Sequence, residues 1–238
     1  MLDPKEEKRF DELKAMCREL KVPAPPEIMI GLKVHDKNGV LVFDDVQRGH
    51  SWTRNFWNTM FSMMTTCGSD GTSSFGAGYM TGKSTDTTLR NTTNRTAITS
   101  TPAIPAAGFV CDGANASSGT VVGTGDTAFS VEQTALAALV AHGNTAGTLY
   151  YQAQLNTTKA YIAGSKTWTN TTSRIFNNNS GGSITVKEVG LYWLGQMFAS
   201  INSAYLFERS VLSPTVAVAN GAQLTVTYQI SMDFSAID

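Results

Sequence analysis

Apolar residues first recur at helical spacing. Phe10, Leu13, Met16, Cys17 and Leu20 fall three or four positions apart, which predicts a helix over Pro4–Leu20 with one narrow apolar stripe. Asp3 supplies an N-cap, Pro4 suits the first helical position and Glu6 completes a capping box. The remaining faces are densely charged, so the stripe is expected to dock on its own domain or on a neighbouring subunit. Pro23, Pro25 and Pro26 stop the helix and favour an extended segment.

The pattern then changes to strands. Ile28–Val34 and Val40–Val46 are β-prone runs around Asp36-Lys37-Asn38-Gly39, whose Asn-Gly pair suits a tight turn. Ser51 is placed to cap a second helix over Trp52–Thr66, ended by Cys67-Gly68. Trp52, Phe56, Met60, Met63 and Met64 lie along one side of it, and Trp57 and Phe61 widen that side. Such a face is either buried beneath a sheet or inserted into another protein.

Residues 68–128 show little periodicity and read as short strands joined by long Gly-rich loops, or as an arm that orders on assembly. The C-terminal zone alternates. Val226, Tyr228, Ile230, Met232 and Phe234 interleave with polar residues, predicting a strand from Leu224. Asn220-Gly221 turns it from Val216–Val218, and Tyr205–Leu212, Thr167–Phe176 and Leu149–Gln154 add further strands. Ile184 and Val186 shift phase to Val189, Leu191 and Trp193, which predicts a β-bulge near Lys187 or Glu188. Ser130–His142 is ambiguous, with Ser130 able to cap a short helix through Ala141. Together these features predict a mainly β fold: an antiparallel β-sandwich, jelly-roll or immunoglobulin-like, with an N-terminal helix, a hairpin and a second helix. Residues 1–66 are expected to form an anchoring arm and 67–238 the sandwich body.

Composition agrees with that reading. Only 16% of the 238 residues are charged, against ~25% in ordinary soluble domains, so Thr, Ser, Asn and Gly must supply the polar surface. The net charge of −1 provides no field for nucleic acid or an anionic membrane. No run approaches the ~18 apolar residues of a membrane span, and the charged N-terminus has no signal-peptide core. Cys17, Cys67 and Cys111 fit no zinc spacing and are expected to be buried thiols, with one disulfide as the alternative.

Candidate chemistry is sparse. Ala77–Ser84 satisfies a permissive phosphate-loop pattern, but no buried strand precedes it and the Thr/Asn-rich segment after it is a poor helix former. A flexible Gly-rich loop is the better reading. His35, His50 and His142 are isolated, so no metal site and no cofactor are expected. Asp44 and Asp45 form an adjacent acidic pair, expected at a strand end. Glu188 is expected to pair with Arg174 or Arg209 within the sheet, as a structural rather than a catalytic carboxylate. Trp168, Tyr192 and Trp193 could line a saccharide groove, although strand aromatics usually fill a core.

One resemblance adds to this. The stretch from Arg174-Ile175-Phe176 through Asn177–Gly182 into Ile184–Tyr192 resembles a pattern in virion structural proteins of tailed bacteriophages: a strand, an Asn/Ser-Gly turn, then an aliphatic–Glu–aliphatic–Gly–Leu–Tyr strand. Leu206–Leu212, Gly221–Tyr228 and Asp126–Tyr151 fit the same pattern, which covers roughly the last 110 residues. The resemblance implies a non-enzymatic particle component of tail, neck, baseplate or fibre type, or a head-decoration protein, located in the virion. It brings no catalytic residues. Other virion proteins and further copies of the chain are the expected partners, with a host surface glycan as the alternative. The residues expected to carry the assembly contacts are Phe10, Leu13, Met16, Leu20, Trp52, Phe56, Trp57, Met60 and Phe61.

Overall fold

The chain's computed structural model describes residues 4–49, 51–64, 81–86, 89–91, 109–154, 157–197 and 201–235, with the side chains of 61–64, 81–82, 89–91, 195–197 and 201–202 left outside that description. Helix α1 spans Pro4–Leu20, as its spacing predicts. Its end is a Schellman turn: Lys21 takes a positive φ of 54°, Val22 N–H donates to the Cys17 carbonyl and Lys21 N–H to that of Arg18.

Strands β1 (Glu27–His35) and β2 (Leu41–Gly49) form the expected hairpin. Asp36 builds its turn by accepting from the N–H groups of Asn38 and Val40, and Gly39 takes the positive φ. Helix α2 covers Arg54–Met64. It starts later than the pattern predicts because Trp52 is drawn into a bridge with Glu208 and Thr53 N–H donates to the Phe207 carbonyl. Thr53, not Ser51, therefore occupies the cap position.

The remaining strands are β3 (Thr81–Lys83), β4 (Leu89–Asn91), β5 (Gly119–Gly123), β6 (Tyr150–Tyr151), β7 (Thr157–Ile162), β8 (Thr167–Asn177), β9 (Ile184–Met197), β10 (Ile201–Val218) and β11 (Gln223–Asp233). All strand pairings between them are antiparallel. One sheet runs β2-β1-β11-β8-β6, with β7 sharing the β8 edge; a second runs β10-β9-β5; β3 and β4 form a small hairpin. The Asn220-Gly221 turn thus carries the chain from one sheet to the other. Buried residues of both sheets, among them Ile30, Leu32, Phe176, Val189, Leu191, Leu206, Val226 and Tyr228, form one apolar cluster, as in a β-sandwich. The fold is mainly β with two helices, as the sequence pattern predicts.

The second sheet is covered on both faces. The larger sheet packs on one; the segment 124–140 lies on the other, against Glu188 and Tyr192. Three features bear on the sequence reading. The β9–β10 ladder is irregular where the pattern places a bulge, with Lys187 left unpaired between the Glu188–Val211 and Val186–Val216 pairs. The irregularities are on β10: Phe207 is an extra residue between the Leu206–Tyr192 and Glu208–Leu191 pairs, and Leu212–Thr215 loop out opposite Lys187. Tyr205–Leu212 and Val216–Val218 are consequently parts of one strand. Residues 130–142 form turns and isolated bridges rather than a helix. Their amides are taken by the sheet below: Leu136 N–H donates to the Tyr192 hydroxyl, and Ala137 and Ala138 N–H donate to the Glu188 carboxylate. The Leu149–Gln154 strand shortens to two residues, flanked by single bridges to His142 and Cys111.

Candidate assembly surface and buried polar clusters

Helix α1 lies across one end of the larger sheet, from β2 over β1 to β11. Arg48 of β2 forms ion pairs with Glu7 of the helix (2.7 Å) and with Glu27 of β1. Lys14 pairs with Glu27 at 3.1 Å, and Arg18 reaches Asp233 at 3.9 Å. Burial works against the charge of Arg48, but its bonds to Glu7 and Glu27 outweigh that cost and raise its pKa. Phe10 lies under the Arg48 guanidinium, 4.0 Å from ring centroid to carbon, and Lys14 sits 4.7 Å from the same ring.

The stripe is therefore divided. Phe10 and Cys17 face the body, whereas Leu13, Met16 and Leu20 are 39%, 58% and 68% exposed. The helix turns Phe10 and Cys17 inward beside the ion-pairing Glu7 and Lys14, and leaves Leu13, Met16 and Leu20 among the charged residues of its outward faces.

Helix α2 divides in a similar way. Trp52, just before it, stacks on Phe56 at 3.8 Å, and Phe56 meets Phe207 edge-on at 5.8 Å. These rings join Phe109, Trp193 and Tyr205 in a second apolar cluster against β10. Trp57 and Met60 are exposed. Phe61 lies on α2 with its side chain outside the described set. Of the residues singled out from the sequence, Trp52 and Phe56 thus pack within the body, and Leu13, Met16, Leu20, Trp57 and Met60 face outward.

Three clusters of buried polar residues within the body bear on the candidate chemistry. Glu188 and Arg209, both inaccessible, pair at 2.5 Å on the covered face of the second sheet. Glu188 also accepts from the N–H groups of Gly125, Ala137 and Ala138, while Arg209 donates to the Thr127 carbonyl and to Gln133. The pair fastens 125–138 to the sheet. Of the two partners expected for Glu188, Arg209 is the one it meets.

Arg174 does something different. Its guanidinium makes five hydrogen bonds, all to backbone carbonyls: Gln152 from Nε, Ser118 and Thr120 from one terminal nitrogen, Asp112 and Asn115 from the other. Tyr151 stacks against it, 4.8 Å from the ring centroid. Burial lowers its pKa. The chain can enter β5 beneath this cage because Gly119 has a φ of 71°, and a Cβ there would meet Cys111 Sγ at 2.7 Å and the Phe109 carbonyl at 2.9 Å.

Glu208 points the other way, between the sheets. The Tyr228 hydroxyl of β11 donates to it at 2.7 Å, and the Ser210 hydroxyl donates as well. Burial pushes its pKa up to about 7.

None of these clusters is a catalytic constellation of open geometry. Glu188 has its oxygens taken by Arg209 and amides, and Arg174 is closed by carbonyls. His142 accepts at Nδ1 from the Tyr151 N–H and packs on Tyr150. His35 ends β1, and His50 lies outside the described residues. No group of three metal-ligating side chains occurs among the described residues. Cys17 and Cys111 are buried and unpaired, Cys67 falls outside the description, and burial pushes the Cys111 thiol up. Of the phosphate-loop pattern, residues 77–80 lie outside the description. Thr81–Lys83 is strand β3, paired with β4 and held by Asn55 through the Lys83 backbone, so the residues after Lys83 do not open a helix.

The trio Trp168, Tyr192 and Trp193 does not converge. Tyr192 is buried, its hydroxyl accepting from Leu136 N–H and its pKa raised by burial to about 12. Trp193 stacks on Phe207 at 5.2 Å. Trp168 is exposed at the start of β8, beside Tyr161. Sequence reasoning missed Tyr161, although its place seven residues before Trp168 across the Ala163-Gly164-Ser165-Lys166 turn marks the two as cross-strand neighbours.

No protein family, curated protein or solved structure matches the chain.

Proposed function

We propose that the chain is a non-enzymatic structural component of a tailed-phage virion, an accessory tail, neck, baseplate or fibre-type protein that assembles through protein–protein contacts. The observation that carries the assembly reading is the outward stripe Leu13, Met16 and Leu20 on a helix tethered by ion pairs. Burying a large aliphatic side chain contributes about 1.5–3 kcal/mol. A stripe left in water by the chain's own fold regains that stabilisation on contact with a partner. The phage part of the reading comes from the resemblance of residues 174–192, 206–212 and 221–228 to virion strands.

Gel filtration with light scattering tests it, comparing the full chain with a Leu13→Ser/Met16→Ser/Leu20→Ser variant. The full chain should form a defined oligomer and the variant should be a monomer with an unchanged thermal midpoint, since substitutions away from packing sites shift stability by only about 0.5 kcal/mol. A full chain that stays monomeric, or a variant that assembles normally, refutes the reading.

A further inference from the structure

Strands β7 and β8 carry four side chains that the assembly reading does not use. Tyr161 pairs with Trp168, and two residues along, Lys159 pairs with Asn170. The two-residue repeat of a strand puts all four on one side of the sheet. The same side of β8 continues into buried Thr172, Arg174 and Phe176, so the block lies where the sheet's inner face runs out beyond its cover. The two rings are 5.4 Å apart and tilted by 40°. Tyr161 is 49% exposed and Trp168 51%. Met232 of β11, in register with Trp168, borders the pair on its inner side.

Strand register holds these rings in a fixed relation before any ligand arrives, which removes part of the ordering cost of binding. Their surroundings select the ligand. Residues 157–177 contain no Asp or Glu, and their exposed cation is Lys159, Lys166 being half-buried. Lys159 has no ion-pair partner among the described residues. Asp233 lies across from Thr167 but points to the opposite face, toward Arg18. Asn170 Oδ1 is buried without a hydrogen-bond partner. Thr157 and Thr172 follow the block along the same face, and Ile230 and Met232 border it on the β11 side. An aromatic pair, an unpaired ammonium and an amide at the edge of an apolar strip suit a ligand with an apolar ring face, a carboxylate and hydroxyls.

We infer that Lys159, Tyr161, Trp168 and Asn170 form a binding site for an acidic saccharide. The rings stack on the C–H face of a pyranose, Lys159 pairs with its carboxylate, and the Asn170 amide bonds a ring hydroxyl. The inference rests on this hairpin alone and does not require the virion reading.

Calorimetric titration of the full chain with oligogalacturonate and with a sialic-acid oligomer tests it, with a neutral malto-oligosaccharide as control. At least one acidic probe should bind, about tenfold or more tighter than the neutral sugar. Trp168→Ala should abolish that binding. Lys159→Gln should weaken it about tenfold and remove its salt dependence. Both changes are at exposed positions, and unchanged thermal midpoints confirm that the variants fold. Absence of binding by both acidic probes overturns the inference, as does equal binding of the neutral sugar or binding undiminished in Trp168→Ala. If no sugar binds and Trp168→Ala instead abolishes oligomer formation, the hairpin is a protein contact and the saccharide assignment is wrong. The α1 triple variant reports on assembly separately, so the two ideas can fail independently.

Discussion

Among the described residues, the Glu208 carboxyl is held by the hydroxyls of Tyr228 and Ser210. Arg209, the next residue, points to the opposite face and is engaged by Glu188. Burial dominates, the two hydroxyl bonds and the Arg209 charge offset it only in part, and the carboxyl rises from an ordinary 4.5 to about 7. Tyr228 is pushed well above its ordinary range, first by burial and then by Glu208, and stays protonated. The folded chain therefore keeps a proton that the unfolded chain releases once the pH passes about 4.5. Stability contributed by this site is fully present below that value and is lost as pH rises to about 7. A difference of about 2.5 pH units, at 1.36 kcal/mol each, amounts to about 3 kcal/mol.

Glu208→Gln keeps the shape and cannot ionise. Urea unfolding of both proteins between pH 4.5 and 8.5 measures the effect. The stability difference, variant minus native, should climb by about 1.4 kcal/mol per pH unit and level off above pH 7. A constant offset from the amide's altered hydrogen bonding leaves that slope unchanged. A difference that does not vary with pH would refute the reasoning, because it would mean that the carboxyl ionises as readily inside the sandwich as in water.

Two further outcomes follow from the other clusters. Arg174→Met fills similar space but leaves five carbonyls without their donor, so it should cost about 3–5 kcal/mol in chemical denaturation; a loss under ~1 kcal/mol would show that the cage contributes little. Glu188→Gln leaves the Arg209 charge without a counterion and should cost about 3 kcal/mol, part of which Glu188→Gln/Arg209→Met should restore. A double variant less stable than the single would refute that account.

Local periodicity made much of the fold legible. The bounds of α1 follow from one apolar repeat and its caps, and β11 from strict alternation. What periodicity could not convey is which sheet covers which face. The phase shift between Val186 and Val189 marks an irregular ladder but not that the extra residues lie on β10, and nothing in the segment 130–142 announces that Glu188 and Tyr192 will take its amides. Arg174 and Arg209 are both strand cations within reach of the reading for Glu188, but the choice between them depends on strand register. The stripe on α1 was visible as a stripe, while its division into inward and outward residues was not. That division comes from Arg48, which is distant in sequence and draws Glu7 and Phe10 of the helix down. Tyr161 was overlooked because its neighbour Trp168 was grouped with aromatics of β9 rather than with its own hairpin.

The carbonyl cage around Arg174 has a consequence for how the chain tolerates change. Its guanidinium contacts main-chain oxygens from 112 to 120, so it reads the path of that segment and ignores the side chains along it. A side chain such as Asp112 could be exchanged without disturbing those bonds, provided Asn115 keeps the turn by accepting from the Ser117 N–H and Gly119 retains its φ. The surface above the cage is thereby free to diversify in chemistry while its shape stays constant, and a designer wishing to graft a new recognition sequence onto this body would start there.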